Sequence, residues 1–299
     1  MSLDRQRNKD GTAGLQPRKV QRFIEPRSVL EGAGVKLKRS IAVPELDYVD
    51  PFLLFDHFGS DNPDDYIAGF PMHPHRGIET VTYMLDGNVT HRDSMGNEGT
   101  IGPGDLQWMT AGGGIMHEEM PGPRQGRMYG FQLWVNLPAK LKMTSPRYQE
   151  IASAEIPESR REDGTRIRVI AGEIDGIQGP VTEIAADPTY LDVTVPPNGS
   201  FSHPVDRGHA AFAYLFEGMA AFATTQADDQ AVGYPKLVVF GDGDYVEVLA
   251  AEQGARFLLV SGKPLGEPVA RYGPFVMNTK EEIRQALEDL RNGTFVQPA

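Results

Sequence analysis

Cysteine is absent from the 299 residues of this chain. Its absence excludes disulfides, thiolate metal sites and cysteine nucleophiles. It is also consistent with a reducing compartment, so the sequence predicts a cytoplasmic protein. Any metal that the chain binds must be held by nitrogen and oxygen donors, which leaves histidine, aspartate and glutamate as the main candidates.

Long apolar runs and an excess of basic residues are also lacking. No run of about 18 apolar residues occurs, so the sequence predicts no membrane span and no membrane partner. The formal net charge is −12, and an acidic surface repels phosphate groups, which disfavours direct nucleic-acid binding. The polar start, residues 1–19, predicts a disordered tail.

The chain does contain many short apolar segments, separated by glycine, proline, asparagine and aspartate. They have the length and the β-branched or aromatic content of strands, and examples are 81–85, 131–135, 190–195 and 211–216. Many short strands with frequent turn signals are typical of all-β proteins, either sandwiches or barrels.

A single helix is predicted near the C-terminal end. Thr279 and Glu282 have the spacing of a capping box, and Gly293 stands where a C′ residue is expected. Between them lies an apolar stripe with helical spacing, formed by Ile283, Ala286, Leu287 and Leu290. We expect this short helix to pack on the barrel, and the sequence assigns it no chemical role.

Two parts of the chain repeat the same pattern. Arg76-Gly77 is followed by a tyrosine and then by an Asp-Gly turn. Arg207-Gly208 is followed, at the same spacings, by a tyrosine and a Glu-Gly turn. The repeat predicts two tandem copies of one β-domain. We place the copies at residues 20–145 and 155–292, with the join at the strand-breaking prolines between them.

The two copies differ in their candidate metal ligands. The first has His73 and His75 before its Arg-Gly pair, and His117 and Glu119 further on. The second has His203 before its Arg-Gly pair but no histidine after its Gly-x-Gly-Asp turn. We therefore expect the N-terminal copy to bind a metal and the C-terminal copy to be degenerate and to keep only the fold.

The candidate ligands occur in two pairs with the spacing of a β-strand. His73 and His75 are two residues apart, so on a strand both imidazoles point to one face, and His117 with Glu119 repeats this spacing. If the strands are neighbours, three nitrogens and one carboxylate converge, which suits Fe, Mn, Ni, Cu, Co or Zn. Glu79 is an alternative carboxylate ligand, because on a continued strand it would share the face of His75.

Other residues of this region have two interpretations. Trp108, Met109 and Met116 would line an apolar pocket or form barrel core, and core is the commoner case. Gly112-Gly113-Gly114 would allow a tight backbone bend before the ligand strand. His91 would support the site or be a packed or surface histidine, and the second is the commoner case.

The histidine-containing segments resemble the pirin family of the cupin superfamily. The resemblance is carried by His73-Pro-His-Arg-Gly-Ile-Glu-Thr80 and by Asp105–Glu119, and similar blocks recur at 50–59, 131–138 and 271–278. It covers nearly the whole chain. It implies two tandem cupin β-barrels of the double-stranded β-helix, or jelly-roll, type, with one iron in the N-terminal barrel.

The resemblance also implies the ligands of that iron. The family's two histidines of H-P-H, and its histidine and glutamate of H-x-E, fall on His73, His75, His117 and Glu119. This favours Glu119 over Glu79 as the carboxylate ligand. Because the general cupin pattern uses a glutamate at the position of Glu79, we expect Glu79 to be hydrogen-bonded close to the site.

Two classes of function follow from the resemblance. Members of the family are linked to quercetin 2,3-dioxygenase activity, which predicts an oxidoreductase that opens a flavonol such as quercetin with dioxygen. The metal would act as Lewis acid and template, and Glu119 or Glu79 would accept the flavonol proton.

A vertebrate member of the family is linked to transcriptional co-regulation in the nucleus. The alternative is therefore a metal-dependent binding or regulatory protein with a protein partner and no physiological turnover. Storage or isomerase-type cupin chemistry on a sugar or a small acid is a third option.

Overall fold

The structure is a computed structural model that describes residues 14–122, 126–223 and 231–296. The predicted all-β class with one C-terminal helix is confirmed. The strands up to residue 151 are β1 Val20–Ile24, β2 Arg27–Glu31, β3 Val35–Ile41, β4 Phe52–Ser60, β5 Phe70–His75, β6 Ile78–Asp86, β7 Val89–Asp93, β8 Glu98–Ile101, β9 Leu106–Thr110, β10 Ile115–Pro121, β11 Met128–Asn136 and β12 Arg147–Ile151. The later elements are β13 Glu158–Arg160, β14 Arg166–Ala171, β15 Glu173–Ile174, β16 Ile177–Gln178, β17 Thr189–Val195, β18 Ser200–Pro204, β19 Ala210–Phe222, β20 Val232–Gly233, β21 Lys236–Phe240, β22 Tyr245–Gly262, β23 Ala270–Tyr272, β24 Phe275–Met277 and the helix α1 Lys280–Asn292.

The chain divides into two compact units. The cavity unit comprises Arg27–Glu155 and the chain from Leu265 onward, and the filled unit comprises the chain up to Pro26 together with Ile156–Pro264. The domain boundaries 20–145 and 155–292 follow the sequence repeat and stay a prediction. The compact units differ from them at both ends of the chain, because β1 pairs with β21 in the filled unit while α1 belongs to the cavity unit.

Residues 1–19 are the predicted disordered tail, and residues 1–13 of it lie outside the described residues. Its last part belongs to the filled unit. Arg18 is only 1% exposed, and its guanidinium donates hydrogen bonds to the backbone oxygens of Asp206, at 2.7 Å, and His209, at 2.8 Å. A buried guanidinium needs such acceptors, so this end of the tail is fixed by contacts that a polar composition does not reveal.

Two large antiparallel sheets build most of the cavity unit, and β23 and β24 form a third sheet of two strands. One large sheet has seven strands in the order β12-β9-β6-β11-β4-β3-β2, and the other has four in the order β5-β10-β7-β8. Along β3, Val35 and Leu37 are buried while Lys36 and Lys38 are exposed, as expected for a strand with one face on a core. The sheets are open rather than closed into a cylinder, because each path ends in edge strands.

The main sheet of the filled unit is antiparallel and has nine strands, and β15 and β16 form a separate pair. Its main path is β1-β21-β19-β22-β17-β14-β13, with β18 paired to β22 and β20 paired to β19. The interior of this unit is a cluster of buried apolar side chains that includes Phe201, Phe222, Phe240 and Phe257. Apolar side chains that are packed against one another therefore occupy the described interior of the second copy.

The repeated sequence motifs adopt one backbone conformation in both units. Gly77 and Gly208, which follow the repeated arginines, have φ of +80° and +81°. The turn glycines Gly87 and Gly218 have φ of +77° and +74°. Glycine is favoured at such angles because it lacks a Cβ. The repeat seen in the sequence is therefore also a repeat of structure.

The helix α1 begins and ends as predicted. The Thr279 hydroxyl accepts from the Glu282 N–H, the Glu282 carboxylate accepts from the Thr279 N–H, and Gly293 caps the helix at φ +72°. Ile283 and Ala286 are buried against residues of β23 and β24. In the described ranges no helix has the length and apolar character that a membrane crossing requires.

A buried lysine ties together three segments of the cavity unit. Lys142 is 1% exposed, and its ammonium donates to the backbone oxygens of Gly77 and Val276 and to Oδ1 of Asn136, at 2.8–2.9 Å. These acceptors lie in the turn after β5, in β24 and at the end of β11. All three ammonium hydrogens are used, so Lys142 holds the C-terminal segment to the strands that carry the histidines.

Replacing Lys142 with methionine should lower the free energy of unfolding by about 3 kcal/mol, because three buried acceptors lose their donor. Equilibrium unfolding in urea measures the change. Lys140→Met is the matched control, since Lys140 is exposed two residues earlier, and it should change stability by less than about 0.5 kcal/mol. Equal stability of the two variants would contradict the role assigned to Lys142.

Candidate metal centre

The strands β5 and β10 carry the three candidate histidine ligands. They are antiparallel neighbours, with His73 opposite His117 and His75 opposite Ile115. The pairing shifts register between His117 and Glu119. Such an irregularity commonly re-aims side chains next to a functional site. The expectation that the two ligand strands are neighbours is met.

The three histidines form one compact cluster. Their ligand nitrogens lie within 4.8 Å of one another. Among the histidine, aspartate and glutamate side chains of the described ranges, these three form the group whose donor atoms come this close together. Burial lowers the pKa of each imidazole, and it takes the pKa of His75 to about 3. All three rings are therefore neutral near pH 7, and the neutral imidazole is the form that coordinates a metal.

Hydrogen bonds determine which nitrogen of two rings carries the proton. His73 Nδ1 lies 2.9 Å from the backbone oxygen of Pro71, and His75 Nδ1 lies 3.3 Å from that of Pro274. A carbonyl oxygen only accepts, so each ring carries its proton on Nδ1 and has a lone pair on Nε2. These two Nε2 atoms are 3.1 Å apart. Two lone pairs that face each other repel, and a shared cation removes that repulsion.

The third ring is oriented by a chain of two further residues. His117 Nδ1 lies 3.4 Å from His91 Nδ1, and His91 Nε2 lies 3.4 Å from Asp93 Oδ2. If His91 donates its Nε2 proton to the carboxylate, its Nδ1 accepts the Nδ1 proton of His117. The lone pair of His117 is then on Nε2, and this buried atom has no hydrogen-bond partner. A buried nitrogen without a partner at this position fits a metal ligand.

The donor set fits a first-row transition metal. Two adjacent ligands of an octahedral ion with bonds of about 2.1 Å are separated by about 3.0 Å, close to the 3.1 Å between His73 Nε2 and His75 Nε2. The ring centroids of the three histidines are 4.3–5.0 Å apart. Neutral imidazoles suit iron, nickel, copper, cobalt or zinc more than calcium or magnesium.

His91 is both packed and in contact with the site. It is 1% exposed, its ring stacks on Tyr148 with the centroids 4.9 Å apart, and its Nδ1 faces His117. The two interpretations from the sequence are therefore compatible. The signal in the sequence was the H-x-D spacing of His91 and Asp93, which directs both side chains to the same face of β7.

Glu119 lies beside the histidines but outside their cluster. It is 8% exposed, and it borders the same cavity as His73 and His75. Its Oε1 accepts a hydrogen bond of 3.0 Å from Thr82 Oγ1, and burial raises the pKa of the carboxyl to about 7. Its oxygens do not belong to the set of donor atoms within 4.8 Å. Glu119 thus borders the same cavity as two of the histidines and is hydrogen-bonded to the other sheet.

Glu79 does not share a strand with the histidines. β5 ends at His75, Gly77 turns the chain at φ +80°, and β6 belongs to the other sheet. The premise of a continued strand is therefore wrong. Glu79 Oε1 accepts from Thr110 Oγ1 at 2.7 Å, and burial raises its pKa to about 7. The alternation of side chains on β6 places it on the face opposite to Thr82, and it is not among the residues that line the cavity.

A cavity of about 730 Å³ lies beside the histidines, between the two large sheets of the cavity unit. This volume is in the range of small-molecule sites. The Trp134 ring stands edge-on to the His75 ring, with the centroids 5.0 Å apart, and the Arg271 guanidinium lies 5.1 Å over the same indole. Apolar wall residues are Val35, Leu37, Leu54, Phe58, Phe70, Val89 and Met128.

The apolar residues considered from the sequence take the commoner of their two interpretations. Trp108 and Met109 are fully buried and do not line the cavity, and Met116 packs against the cluster around α1. Trp134 is an aromatic residue that does contact the site, since its ring lies against that of His75. No local feature of the sequence indicates this, because side-chain alternation on β11 identifies the cavity face only once the partner sheet is known.

The C-terminal helix is linked to the end of the ligand strand. Arg76 follows His75 and is 1% exposed. Its Nε donates to the Gly113 oxygen, and its NH1 donates to Asp289 of α1, both at 2.6 Å. Its guanidinium also lies 4.4 Å over the Phe295 ring. The helix therefore helps to position β5, although none of its residues lines the cavity.

Comparisons with known proteins agree with this architecture. Residues 34–135 match the sequence model of the Pirin family, and residues 190–296 match that of the Pirin C-terminal cupin domain. A pirin-like protein of Caulobacter vibrioides is 46% identical over 279 residues, which are 93% of this chain and 99% of that protein. Human pirin is 45% identical over 278 residues, which are 92% of this chain and 93% of that protein.

A solved structure is similar over almost the same span. The crystal structure of a quercetin 2,3-dioxygenase from Acinetobacter baumannii has a TM-score of 0.84 and 34% identity, and the match covers 94% of this chain and 99% of that chain. The chain is similar to these proteins along both halves. It also has two units built of strands, and one of them carries the histidine cluster. Both observations lead to one conclusion. The chain belongs to the pirin family and contains two cupin domains.

Proposed function

We propose that this protein is a mononuclear metal-dependent dioxygenase that opens a flavonol such as quercetin with dioxygen. The observation that supports it most is the convergence of three neutral histidines at the wall of a cavity of about 730 Å³. The solved relative from Acinetobacter baumannii, which is named quercetin 2,3-dioxygenase, supports the choice of reaction.

The proposed ligands are His73, His75, His117 and Glu119, and the proposed metal is iron. Three ligands are the nitrogens that the hydrogen bonds leave with lone pairs, and Glu119 is the carboxylate beside them. Two protein strands supply all four, which leaves the cavity side for substrate and dioxygen. When bound, the metal would supply Lewis-acid polarisation of a flavonol oxygen and a template that orients the two reactants.

Glu119 is also the proposed general base. Its carboxyl borders the cavity, and burial raises its pKa to about 7. A base with a pKa near the operating pH removes a hydroxyl proton efficiently, so Glu119 would take the proton of the flavonol hydroxyl. Glu79 has a similar pKa but lies outside the cavity lining, so we assign the catalytic role to Glu119 alone.

The walls of the cavity would orient a planar ligand and exclude water. Phe58, Phe70 and Met128 supply apolar surface, and Trp134 stands next to His75. Expelling water from this space strengthens the electrostatic interactions at the reacting oxygen. The polar residues Thr82 and Gln132 lie on the same sheet as Trp134, so the ligand would also meet hydrogen-bonding groups on the wall opposite the histidines.

Replacing His117 with alanine should abolish stoichiometric metal binding, since it removes one of three converging donors. Elemental analysis after loading with Fe(II) and desalting should give about one metal per chain for the parent protein and much less for the variant. His209→Ala, in the filled unit, is the control and should keep its metal. Retention of one metal per chain by the His117 variant would show that the ligand assignment is wrong.

Iron-loaded protein in air should consume oxygen and bleach the absorption band of quercetin. Glu119→Gln should lower the rate by on the order of a hundredfold or more, because the amide cannot accept the hydroxyl proton. Oxygen uptake and absorbance measured together test this. Full metal occupancy without turnover for iron, manganese, nickel, cobalt and copper would contradict the dioxygenase proposal. That result would favour the metal-dependent binding function predicted as the alternative.

A further inference from the structure

A buried threonine on the cavity wall faces two hydrogen-bond acceptors at once. Thr82 is 2% exposed and lies in β6, directly opposite Gln132 of β11. Its Oγ1 is 3.0 Å from Glu119 Oε1 and 2.9 Å from Gln132 Oε1. Glu119 is on the other sheet, so this contact joins the two large sheets of the cavity unit at the metal centre.

A hydroxyl has one hydrogen and cannot donate to both oxygens at the same time. An ionised carboxylate is the stronger acceptor, because hydrogen bonds to charged oxygens are roughly twice as strong as those between neutral groups. A carboxyl that binds a metal is ionised, so Thr82 donates to Glu119 in the metal-binding state. Its own oxygen then needs a donor, and the Gln132 amide supplies one when its NH₂ group faces Thr82, since the two ends of an amide are exchanged by rotating the group.

We propose that Thr82 is a positioning residue for Glu119, through a hydrogen-bond chain that runs from the Gln132 amide to the Thr82 hydroxyl and on to the Glu119 carboxylate. Holding Oε1 in this way leaves Oε2 as the oxygen for the metal. The inference rests on the proposed ligand role of Glu119. It goes beyond that role by naming the group that orients the ligand.

The geometry of the strands supports this role. The register shift between His117 and Glu119 means that strand alternation alone does not fix the direction of the Glu119 side chain. A buried carboxylate also needs hydrogen bonds to offset its loss of hydration. Thr82 is the described partner of this carboxylate, so removing its hydroxyl should free Glu119 to rotate.

The chain offers a closely matched control for this experiment. Thr80 is on the same strand and, two residues away, points to the same face. It is 1% exposed, and its Oγ1 has no hydrogen-bond partner. Thr80→Val and Thr82→Val therefore make the same chemical change in similar surroundings, but only the second removes a hydrogen bond to Glu119.

The experiment is a titration of metal-free protein with Co(II) in the presence of a competing chelator. Thr82→Val should raise the Kd for Co(II) by about 10–100-fold, the usual effect of removing a group that orients a metal ligand. Thr82→Ser should restore the parent Kd, because it restores the hydroxyl, and Thr80→Val should leave the Kd unchanged. The visible Co(II) spectrum should change in the same way in Thr82→Val and Glu119→Gln.

The outcomes separate this inference from the proposed function. If Glu119→Gln raises the Kd and Thr82→Val does not, the positioning role is overturned while the ligand set stands. If neither variant changes the Kd, Glu119 is not a ligand, and both the ligand assignment and the positioning role are overturned. An equal rise in Kd for Thr80→Val and Thr82→Val would show a general effect of packing and would also overturn the inference.

Discussion

The proposed metal centre depends on the positions of three protons. The Nδ1 atoms of His73 and His75 lie next to backbone oxygens and that of His117 lies next to His91 Nδ1, so each Nε2 is left with a lone pair, and the ligand nitrogens of the three rings lie within 4.8 Å of one another. Without a cation, the structure holds facing lone pairs 3.1 Å apart and a buried nitrogen with no partner. Such an arrangement is unfavourable by itself and becomes favourable when a metal accepts the lone pairs.

The acceptors come from distant parts of the chain, which explains why the cavity unit includes the C-terminal segment. Pro71 belongs to the ligand strand, whereas Pro274 lies between β23 and β24. Lys142 and Arg76 tie the same C-terminal segment to the turns next to the ligand strands. A centre of this kind needs more than a sheet with histidines. It needs surrounding segments that fix the direction of each ring.

The two units show that the fold and the centre are separable. Both keep the Arg-Gly turn and the later turn glycine at nearly equal φ, yet the interior of the filled unit is an apolar cluster with Phe201 and Val205 near His203. Aliphatic and aromatic side chains can therefore replace the cavity without loss of the sheet. This difference is what we expect if the donors of the cavity unit serve the proposed chemistry rather than the fold.

Much of this could be predicted from the sequence, and the failures have physical reasons. Strand spacing gave His73, His75 and His117, and the capping box gave α1 with its boundaries. Glu79 was misplaced because the turn at Gly77 is a property of one φ angle that spacing does not show. His91 contacts His117, Thr82 contacts Glu119, and Trp134 faces the cavity. All three depend on which strands pair and in which register, and a single sequence does not determine this.

In the proposed centre, one metal lies between the three Nε2 atoms and a Glu119 oxygen. The most direct measurement is a crystal structure of protein purified without added metal, with anomalous data collected on both sides of the absorption edge of the element found by elemental analysis. We expect a single anomalous peak per chain, about 2.0–2.2 Å from each of the three nitrogens and from one Glu119 oxygen. A chain with no peak at the histidines, or a peak whose carboxylate ligand is not Glu119, would contradict it.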